Sequence, residues 1–206
     1  MRINPPGPTM GKHTDSPLAE YEVLMCVTGG IAAYKSADLV SKLVQSGAGV
    51  TVAMSDAGRQ FVTPLTFQAL SGRRVYLSLW QPAGDYTSQH ISLTEAADLM
   101  IIAPATADII AKTACGIADD LVSTMALSSH GACPLLIAPA MNERMWSAPA
   151  TKANVKTLSD RGTEFVGPAE GRLACGTVGP GRMAEPLEIL SAASKLLLTQ
   201  KPKKKT

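Results

Sequence analysis

Aromatic residues are scarce in this chain. Phe, Trp and Tyr make up 4% of its 206 residues, although hydrophobic residues as a whole make up 46%. The core must therefore consist mainly of Ala, Val, Ile, Leu and Met, which is typical of layered helix–sheet proteins rather than aromatic-rich β sandwiches. With only 17% charged residues, the composition excludes global disorder, and the length suits one ordinary domain.

Long apolar runs and paired cysteines are also missing. No run approaches the ~20 apolar residues that span a bilayer, and the N-terminal stretch lacks the apolar segment of a signal peptide. The cysteines are widely separated, without a C-x-x-C pair or a zinc-like spacing: Cys26, Cys115, Cys133 and Cys175. We therefore expect free thiols, no metal site, no membrane association and a cytoplasmic location.

Positive charge is concentrated at the C-terminus. The formal net charge is +2, but the final KPKKK run holds four lysines, so the rest of the chain is slightly acidic. A nucleic-acid-binding domain carries its positive charge on the folded body, so we expect no nucleic-acid partner. We expect a flexible leader over 1–20, a single domain over 21–198 and a basic, solubilising tail over 199–206.

Short apolar segments alternate with helical patterns along the chain. The apolar segments are typical of buried strands and lie at 22–27, 50–54, 99–103 and 134–138. Helical patterns occupy 31–45, 64–70, 93–97, 107–114, 119–127 and 186–198. This alternation predicts a single doubly wound α/β domain, whose mostly parallel sheet is covered by helices on both faces.

Glycine-rich or polar segments follow several of these strands. Ligands of open α/β sheets bind beyond the carboxyl ends of the strands, so these segments together predict a small-molecule site. Gly29 and Gly30 suit an anion, because they allow close backbone approach before a helix N-terminus. The segment is neither G-x-G-x-x-G nor a Walker loop, and an ordinary tight turn also uses glycines. Thr106 and Asp108 are equally compatible with helix capping.

Four further residues are candidates for chemistry. His90 precedes a predicted short helix, where a lone histidine is more often structural than catalytic. Cys175 lies in the glycine-rich segment RLACGTVGPGRM beside Arg172, a setting that favours thiol reactivity but is also compatible with an inert thiol. Asn142 and Met145 are compatible with a helix cap and a core methionine. These patterns indicate a phosphate-bearing ligand without naming a reaction.

Taken together, the segments resemble the homo-oligomeric flavin-containing cysteine decarboxylases, and among them those that act on phosphopantothenoylcysteine in coenzyme A biosynthesis. The resemblance covers about 22–190 and rests on VTGGIAAYKS, the His-Ile pair at His90, AADLMIIAPATADIIAK, GIADDLVS, APAMNERMW and RLACGTVGPGRMAEP, in family order. PAMNxxMW followed by LACG is its most specific part. It implies a flavodoxin-like or Rossmann-like three-layer α/β/α fold, bound FMN at a subunit interface, and trimers or larger assemblies of trimers, such as a dodecamer.

The resemblance also implies roles for individual residues. The implied FMN contacts are Gly29, Gly30 and Ile31, then Ala53, Met54 and Ser55, then Thr106, Ala107, Asp108 and Ile109, and finally Ala140. Some relatives have Asn where this chain has Asp108, whose carboxylate adds negative charge near a phosphate and donates no hydrogen bond. The implied substrate contacts are Asn142, Met145, Arg172, Leu173 and Ala174. His90 is the implied catalytic base or acid, and Cys175 the implied proton donor.

The implied reaction is the FMN-dependent decarboxylation of 4′-phosphopantothenoylcysteine to 4′-phosphopantetheine by a carboxy-lyase. Oxidation at the thiol-bearing carbon gives a thioaldehyde, which accepts the electrons released with carbon dioxide. The resulting enethiol is then reduced, with a proton from an acid. The implied partner is a small phosphorylated cysteine conjugate, and we expect the ligase that makes it to be a separate protein.

Three related classes remain as alternatives. Peptidyl-cysteine decarboxylases stop at the enethiol, and the Cys175 loop argues against that outcome. Flavin prenyltransferases share the broader architecture but not the combination of His90, PAMN and LACG. Relatives that inhibit protein phosphatases usually carry long acidic extensions or have lost catalytic positions, and this sequence shows neither feature.

Overall fold

A parallel sheet forms the centre of the molecule. The structure is a computed structural model and describes residues 16–80, 88–172, 176 and 178–203. The sheet has six strands: β1 (Glu22–Val27), β2 (Gly49–Met54), β3 (Val75–Tyr76), β4 (Leu99–Ala105), β5 (Leu135–Pro139) and β6 (Glu164–Phe165). All neighbouring pairs are parallel, and the strand order is β3-β2-β1-β4-β5-β6.

This order confirms the predicted doubly wound sheet. It is the Rossmann order rather than the flavodoxin order. Strands β1 to β3 are added toward one edge of the sheet and β4 to β6 toward the other, so the strand order switches between β1 and β4. A crevice for ligands therefore opens beyond the carboxyl ends of these two strands.

Helices cover both faces. One face carries α1 (Ala33–Gln45), α2 (Pro64–Ser71) and α8 (Pro186–Leu198). The other carries α3 (Gln89–Ala96), α4 (Ala107–Cys115), α5 (Leu121–Ser128) and α7 (Pro149–Asp160). The short helix α6 (Glu143–Ser147) follows β5, and the antiparallel hairpin β7 (Ala169–Arg172) and β8 (Val178–Arg182) packs beside it.

The central strands are apolar on both sides because each side faces a separate core. In β4, Leu99, Ile101 and Ala103 point into the core beneath α1 and α8, whereas Met100 and Ile102 point into the core beneath α4 and α5. Successive side chains of a strand alternate between faces, so a strand buried on both faces appears as a continuous apolar run.

Some elements carry little of this signal. In α7 the buried residues are Thr151 and Leu158, so its apolar periodicity is weak and the sequence did not predict it. The hairpin strands AEGR and VGPGR are rich in glycine and poor in residues that favour strands. Such a composition is typical of a loop, whereas the structure shows two paired strands.

Packing extends beyond both boundaries expected for the domain, 21 and 198. Leu18 is 0% exposed, and its N–H donates to the carbonyl of Ser46 at 3.0 Å. At the other end, the buried carboxylate of Asp98 accepts the backbone N–H groups of Lys203 and Glu22, each at 2.7 Å. An apolar side chain and a buried carboxylate thus extend the packed region into segments that composition alone marks as polar.

Within the residues that the structure describes, no helix has the length and apolar character needed to cross a membrane.

Candidate active site

A cavity of about 710 Å³ lies beyond the carboxyl ends of β1, β2, β3 and β4, at the point where the strand order switches. We call it the first cavity. Its lining comes from the segments that follow these strands and from the starts of α4 and α5: Thr28, Gly29, Met54, Ser55, Asp56, Ala57, Arg59, Leu77, Ser78, Leu79, Trp80, Thr106, Asp108, Ile109, Lys112, Asp119, Asp120 and Leu121. Position and size match the ligand crevice of a doubly wound sheet.

Close backbone contacts shape the first cavity. A Cβ atom on Gly29 would lie 2.8 Å from the Cβ of Ala57, and one on Gly58 would lie 2.6 Å from the carbonyl oxygen of Val27. Ser55 joins the two segments, because its N–H donates to Val27 O at 3.1 Å and its Oγ accepts the N–H of Gly58 at 3.1 Å. The turns after β1 and β2 therefore pack directly on each other, and only glycine fits at these contacts.

Thr106 is the N-cap of α4. Its Oγ1 accepts the N–H of Ile109 at 3.2 Å, which confirms the capping interpretation of this residue. The same hydroxyl keeps one O–H donor, and Thr106 lines the first cavity. Capping and ligand contact are therefore compatible roles for one side chain.

Lys112 is the centre of a charge network in the first cavity. Its Nζ lies 3.3 Å from Asp108 Oδ2 and 3.1 Å from Asp119 Oδ1. Burial disfavours the ammonium ion, but the hydrogen bonds that it donates to Asp119 and Asp108 outweigh this effect and raise the pKa of Lys112. The hydrogen bond from Lys112 lowers the pKa of Asp119. The negative charge of Asp108, unfavourable beside a phosphate, is thus offset within the chain.

A second cavity of about 420 Å³ lies where α1 begins and β5 ends, under the β7–β8 hairpin. We call it the second cavity. It is lined by Gly30, Ile31, Ala32, Tyr34, Lys35, Ala140, Met141, Asn142, Arg172, Gly181, Arg182 and Met183. The N–H of Met141 donates to Gly181 O at 2.9 Å and fixes the hairpin against the end of β5. Gly29 and Gly30 are adjacent in the chain, so the two cavities share the turn after β1.

Asn142 and Met145 belong to the segment between β5 and α6. Asn142 is the N-cap of α6, and its Oδ1 accepts the N–H of Arg144 at 2.8 Å, as the capping interpretation expects. Met145 is 48% exposed and is therefore not a core methionine.

The predicted site residues divide between the two cavities. The first cavity contains Gly29, Met54, Ser55, Thr106, Asp108 and Ile109. The second contains Gly30, Ile31, Ala140, Asn142 and Arg172. The lining of neither cavity includes Ala53, Ala107, Met145 or His90, and Ala53 is fully buried in the core. Leu173, Ala174 and Cys175 lie outside the described residues.

His90 is half-buried in the first turn of α3. The preceding Gln89 has a buried side-chain amide, and neither its nitrogen nor its oxygen has a hydrogen-bond partner in the described part of the chain. An unpaired buried amide costs about 1–3 kcal/mol, which is unusual in a folded protein. The start of α3 therefore combines the predicted histidine with an unsatisfied polar group.

The described cysteines are free thiols: Cys26, Cys115 and Cys133. Burial raises the pKa of Cys133 to about 11 and also raises that of Cys26, so neither forms a nucleophilic thiolate near neutral pH. Across the described ranges, no group of three or more His, Cys, Asp or Glu side chains is arranged to hold a metal ion.

Sequence reasoning did not identify Lys35, Arg182 or Lys112. Lys35 did carry a signal of a functional role. It lies in the first turn of α1, where the helix dipole disfavours a cation, so its charge does not serve to stabilise the helix. Arg182 and Lys112 pair with carboxylates close to them in the chain. Their sequence spacing does not show which cavity they line, because that depends on tertiary packing.

Comparison with known proteins gives consistent results. The family model described as Flavoprotein matches residues 12–198. The coenzyme A biosynthesis bifunctional protein CoaBC of Vibrio vulnificus strain YJ016 is 49% identical over 174 residues, covering 84% of this chain and 43% of the relative. CoaBC of Escherichia coli K12 is 48% identical over 176 residues, covering 85% and 43%. The chain thus spans less than half the length of these curated relatives.

Two solved structures cover nearly the same region. A cysteine-to-serine mutant of PPC decarboxylase, complexed with pantothenoylaminoethenethiol, superposes with a TM-score of 0.77 at 30% identity over 88% of this chain and 100% of that chain. The FMN-dependent cysteine decarboxylase SpaF superposes with a TM-score of 0.77 at 31% identity, covering 88% and 98%.

Proposed function

The chain belongs to the Flavoprotein family, and from this premise we propose that it is an FMN-dependent carboxy-lyase that decarboxylates 4′-phosphopantothenoylcysteine to 4′-phosphopantetheine in coenzyme A biosynthesis. The observation that carries the proposal is the similarity to PPC decarboxylase over 88% of the chain. The similarity to CoaBC of several bacteria gives independent support.

The first cavity fits FMN. It lies at the switch point of the sheet, has about 710 Å³ of space, and has the hydroxyls of Ser55 and Thr106 in its wall. The contacts at Gly29 and Gly58 leave no room for a side chain. We propose that Gly29, Met54, Ser55, Thr106, Asp108 and Ile109 hold FMN there, with Gly30, Ile31 and Ala140 where the two cavities meet. Ala53 and Ala107 contribute through the backbone of the same segments.

Bound FMN supplies the reversible hydride acceptor that oxidation of the thiol-bearing carbon and the later reduction both require. The side-chain amide of Asn142 orients the substrate carboxylate in the second cavity, and Arg172 contacts the substrate in the same cavity. Met145, Leu173 and Ala174 complete the substrate contacts. His90 moves a proton at the reacting cysteine, and Cys175 donates the last proton to the enethiol carbon.

The proposal includes a homo-oligomer, either a trimer or a larger assembly of trimers, and a cytoplasmic location. Ile31 and Tyr34 border the second cavity and are 63% and 62% exposed. Exposed apolar side chains beside a site are typical of an interface, which supports closure of the site by a second copy. Light scattering during size-exclusion chromatography measures the assembly directly.

The decisive experiment is turnover. The purified protein should contain non-covalent FMN and should convert 4′-phosphopantothenoylcysteine to 4′-phosphopantetheine with release of carbon dioxide, as followed by mass spectrometry. A protein that binds no added FMN, or that leaves this substrate unchanged, contradicts the proposal. Accumulation of the enethiol instead of the reduced product would favour the peptidyl-cysteine type of reaction.

A further inference from the structure

The second cavity has an excess of positive charge. Lys35, Arg172 and Arg182 all line it, and no carboxylate is among its described lining residues. Glu185, just outside the lining, pairs with two of these cations. Its Oε1 accepts from Lys35 Nζ at 2.8 Å and from Arg182 Nη2 at 2.8 Å. The two cationic nitrogens therefore lie no more than twice that distance apart, and one carboxylate serves both.

The two paired cations are held in place by the fold. The side chain of Lys35 is only 11% exposed, and its Nζ also donates to Met183 O at 3.3 Å. Arg182 packs across Gly171 in the opposite hairpin strand, where a Cβ atom would lie 2.6 Å from Nη1. Fixed side chains lose little conformational entropy when they bind a ligand, so the site is preorganised for an anion.

Unused donors remain on these side chains. A lysine ammonium has three N–H donors and a guanidinium has five, whereas Glu185 and Met183 O together use only a few of them. The Arg172 guanidinium is exposed and, within the described part of the chain, makes no hydrogen bond or ion pair. A phosphate monoester carries about −1.5 to −2 charge at pH 7 and offers three oxygens. It therefore matches both the charge and the donors.

We propose that Lys35, Arg182 and Arg172 bind the 4′-phosphate of the substrate in the second cavity. This inference rests on the proposed function and assigns to this cavity the phosphate that distinguishes the substrate from unphosphorylated pantothenoylcysteine. Arg182 presents its guanidinium fork to two phosphate oxygens, and Lys35 acts as a point charge. Asn142 lines the same cavity as these three residues. The phosphate and the carboxylate of the substrate would therefore both bind in the second cavity.

The first test compares kcat/KM for 4′-phosphopantothenoylcysteine and for pantothenoylcysteine. Wild-type protein should prefer the phosphorylated substrate, and Arg182→Ala should lower this preference by about 10- to 100-fold, the effect of losing a hydrogen bond between charged groups. Lys35→Gln should lower it in the same direction, which keeps the test valid if one variant folds poorly. Lys156→Ala removes an exposed lysine of α7, outside both cavities, and should keep the wild-type preference.

A second test needs no turnover. Calorimetric titration of 4′-phosphopantetheine and pantetheine into the FMN-loaded protein should show that Arg182→Ala loses most of the affinity contributed by the phosphate. Titration of FMN and riboflavin into apoprotein tests the cofactor phosphate as the alternative occupant.

The outcomes are distinct. An unchanged preference in both variants overturns the inference, as does a wild-type protein without preference for the phosphorylated substrate. A loss of preference for FMN over riboflavin, with substrate preference intact, also overturns it and assigns the cluster to the cofactor. If wild-type protein turns over neither substrate, the proposed function itself fails. Turnover with intact preference in the variants refutes only the phosphate assignment.

Discussion

Substitution of Thr106 is the most direct test of whether the first cavity binds a phosphate-bearing cofactor. Its Oγ1 caps α4 by accepting the N–H of Ile109 at 3.2 Å, and its O–H remains available to the cavity. Thr106→Val keeps the branched shape but removes both the acceptor and the donor. Thr106→Ser keeps both and is the matched control.

The two roles predict effects of different size. Loss of the cap should destabilise the apoprotein by about 1 kcal/mol, or about 2–4 °C in Tm for a chain of this length. Loss of a hydrogen bond to a charged phosphate should weaken FMN binding by about 10- to 100-fold. At saturating FMN, each tenfold loss of affinity removes a further ~1.4 kcal/mol of ligand-linked stabilisation. The FMN-loaded variant should therefore lose more stability than the apoprotein.

Fluorescence titration of FMN into apoprotein and thermal unfolding with and without FMN separate these effects. We expect Thr106→Val to be impaired in both measurements and Thr106→Ser to resemble wild type. If Thr106→Val binds FMN with wild-type affinity while its apoprotein melts at a lower temperature, the hydroxyl is a cap only. The contact between Thr106 and the cofactor would then be refuted.

Three further predictions follow from the site and the core. His90→Asn should retain FMN, visible in the absorbance spectrum, but slow decarboxylation by about 10²-fold or more, because it removes a proton-transfer group at similar size; near-normal turnover would remove His90 from the mechanism. Cys175→Ser should release carbon dioxide but accumulate a product two hydrogens lighter than phosphopantetheine, because a serine hydroxyl is a much weaker acid than a thiol. Mass spectrometry distinguishes the two products, and full reduction at the wild-type rate would exclude Cys175 as the proton donor. Asp98→Ala should lower the free energy of unfolding of the apoprotein, measured in urea, by about 3 kcal/mol, because two backbone N–H groups lose a buried carboxylate acceptor. The control Asp160→Ala breaks an exposed ion pair and should cost at most about 0.5 kcal/mol, so equal effects of the two substitutions would contradict the assigned role of Asp98.

Local patterns in the sequence were sufficient for the central elements of the fold. β1 and α8 occupy the predicted bounds, 22–27 and 186–198, because an apolar run and a proline at the first helical position are local signals. The polar segments at the strand ends correctly indicated the edge of the sheet on which the first cavity lies. The roles of His90 and Cys175 came from the resemblance and stay predictions.

Only the tertiary structure decided how the site is partitioned and charged. The adjacent residues Gly29 and Gly30 line different cavities, and no sequence pattern separates them. Lys35 of α1 and Arg182 of the hairpin meet at one oxygen of Glu185, although they are far apart in the chain. Periodicity reports which face of a helix or strand is buried, but not which distant segment covers it. That depends on strand order and on packing of the hairpin against the end of β5, which bring these charges into one cavity.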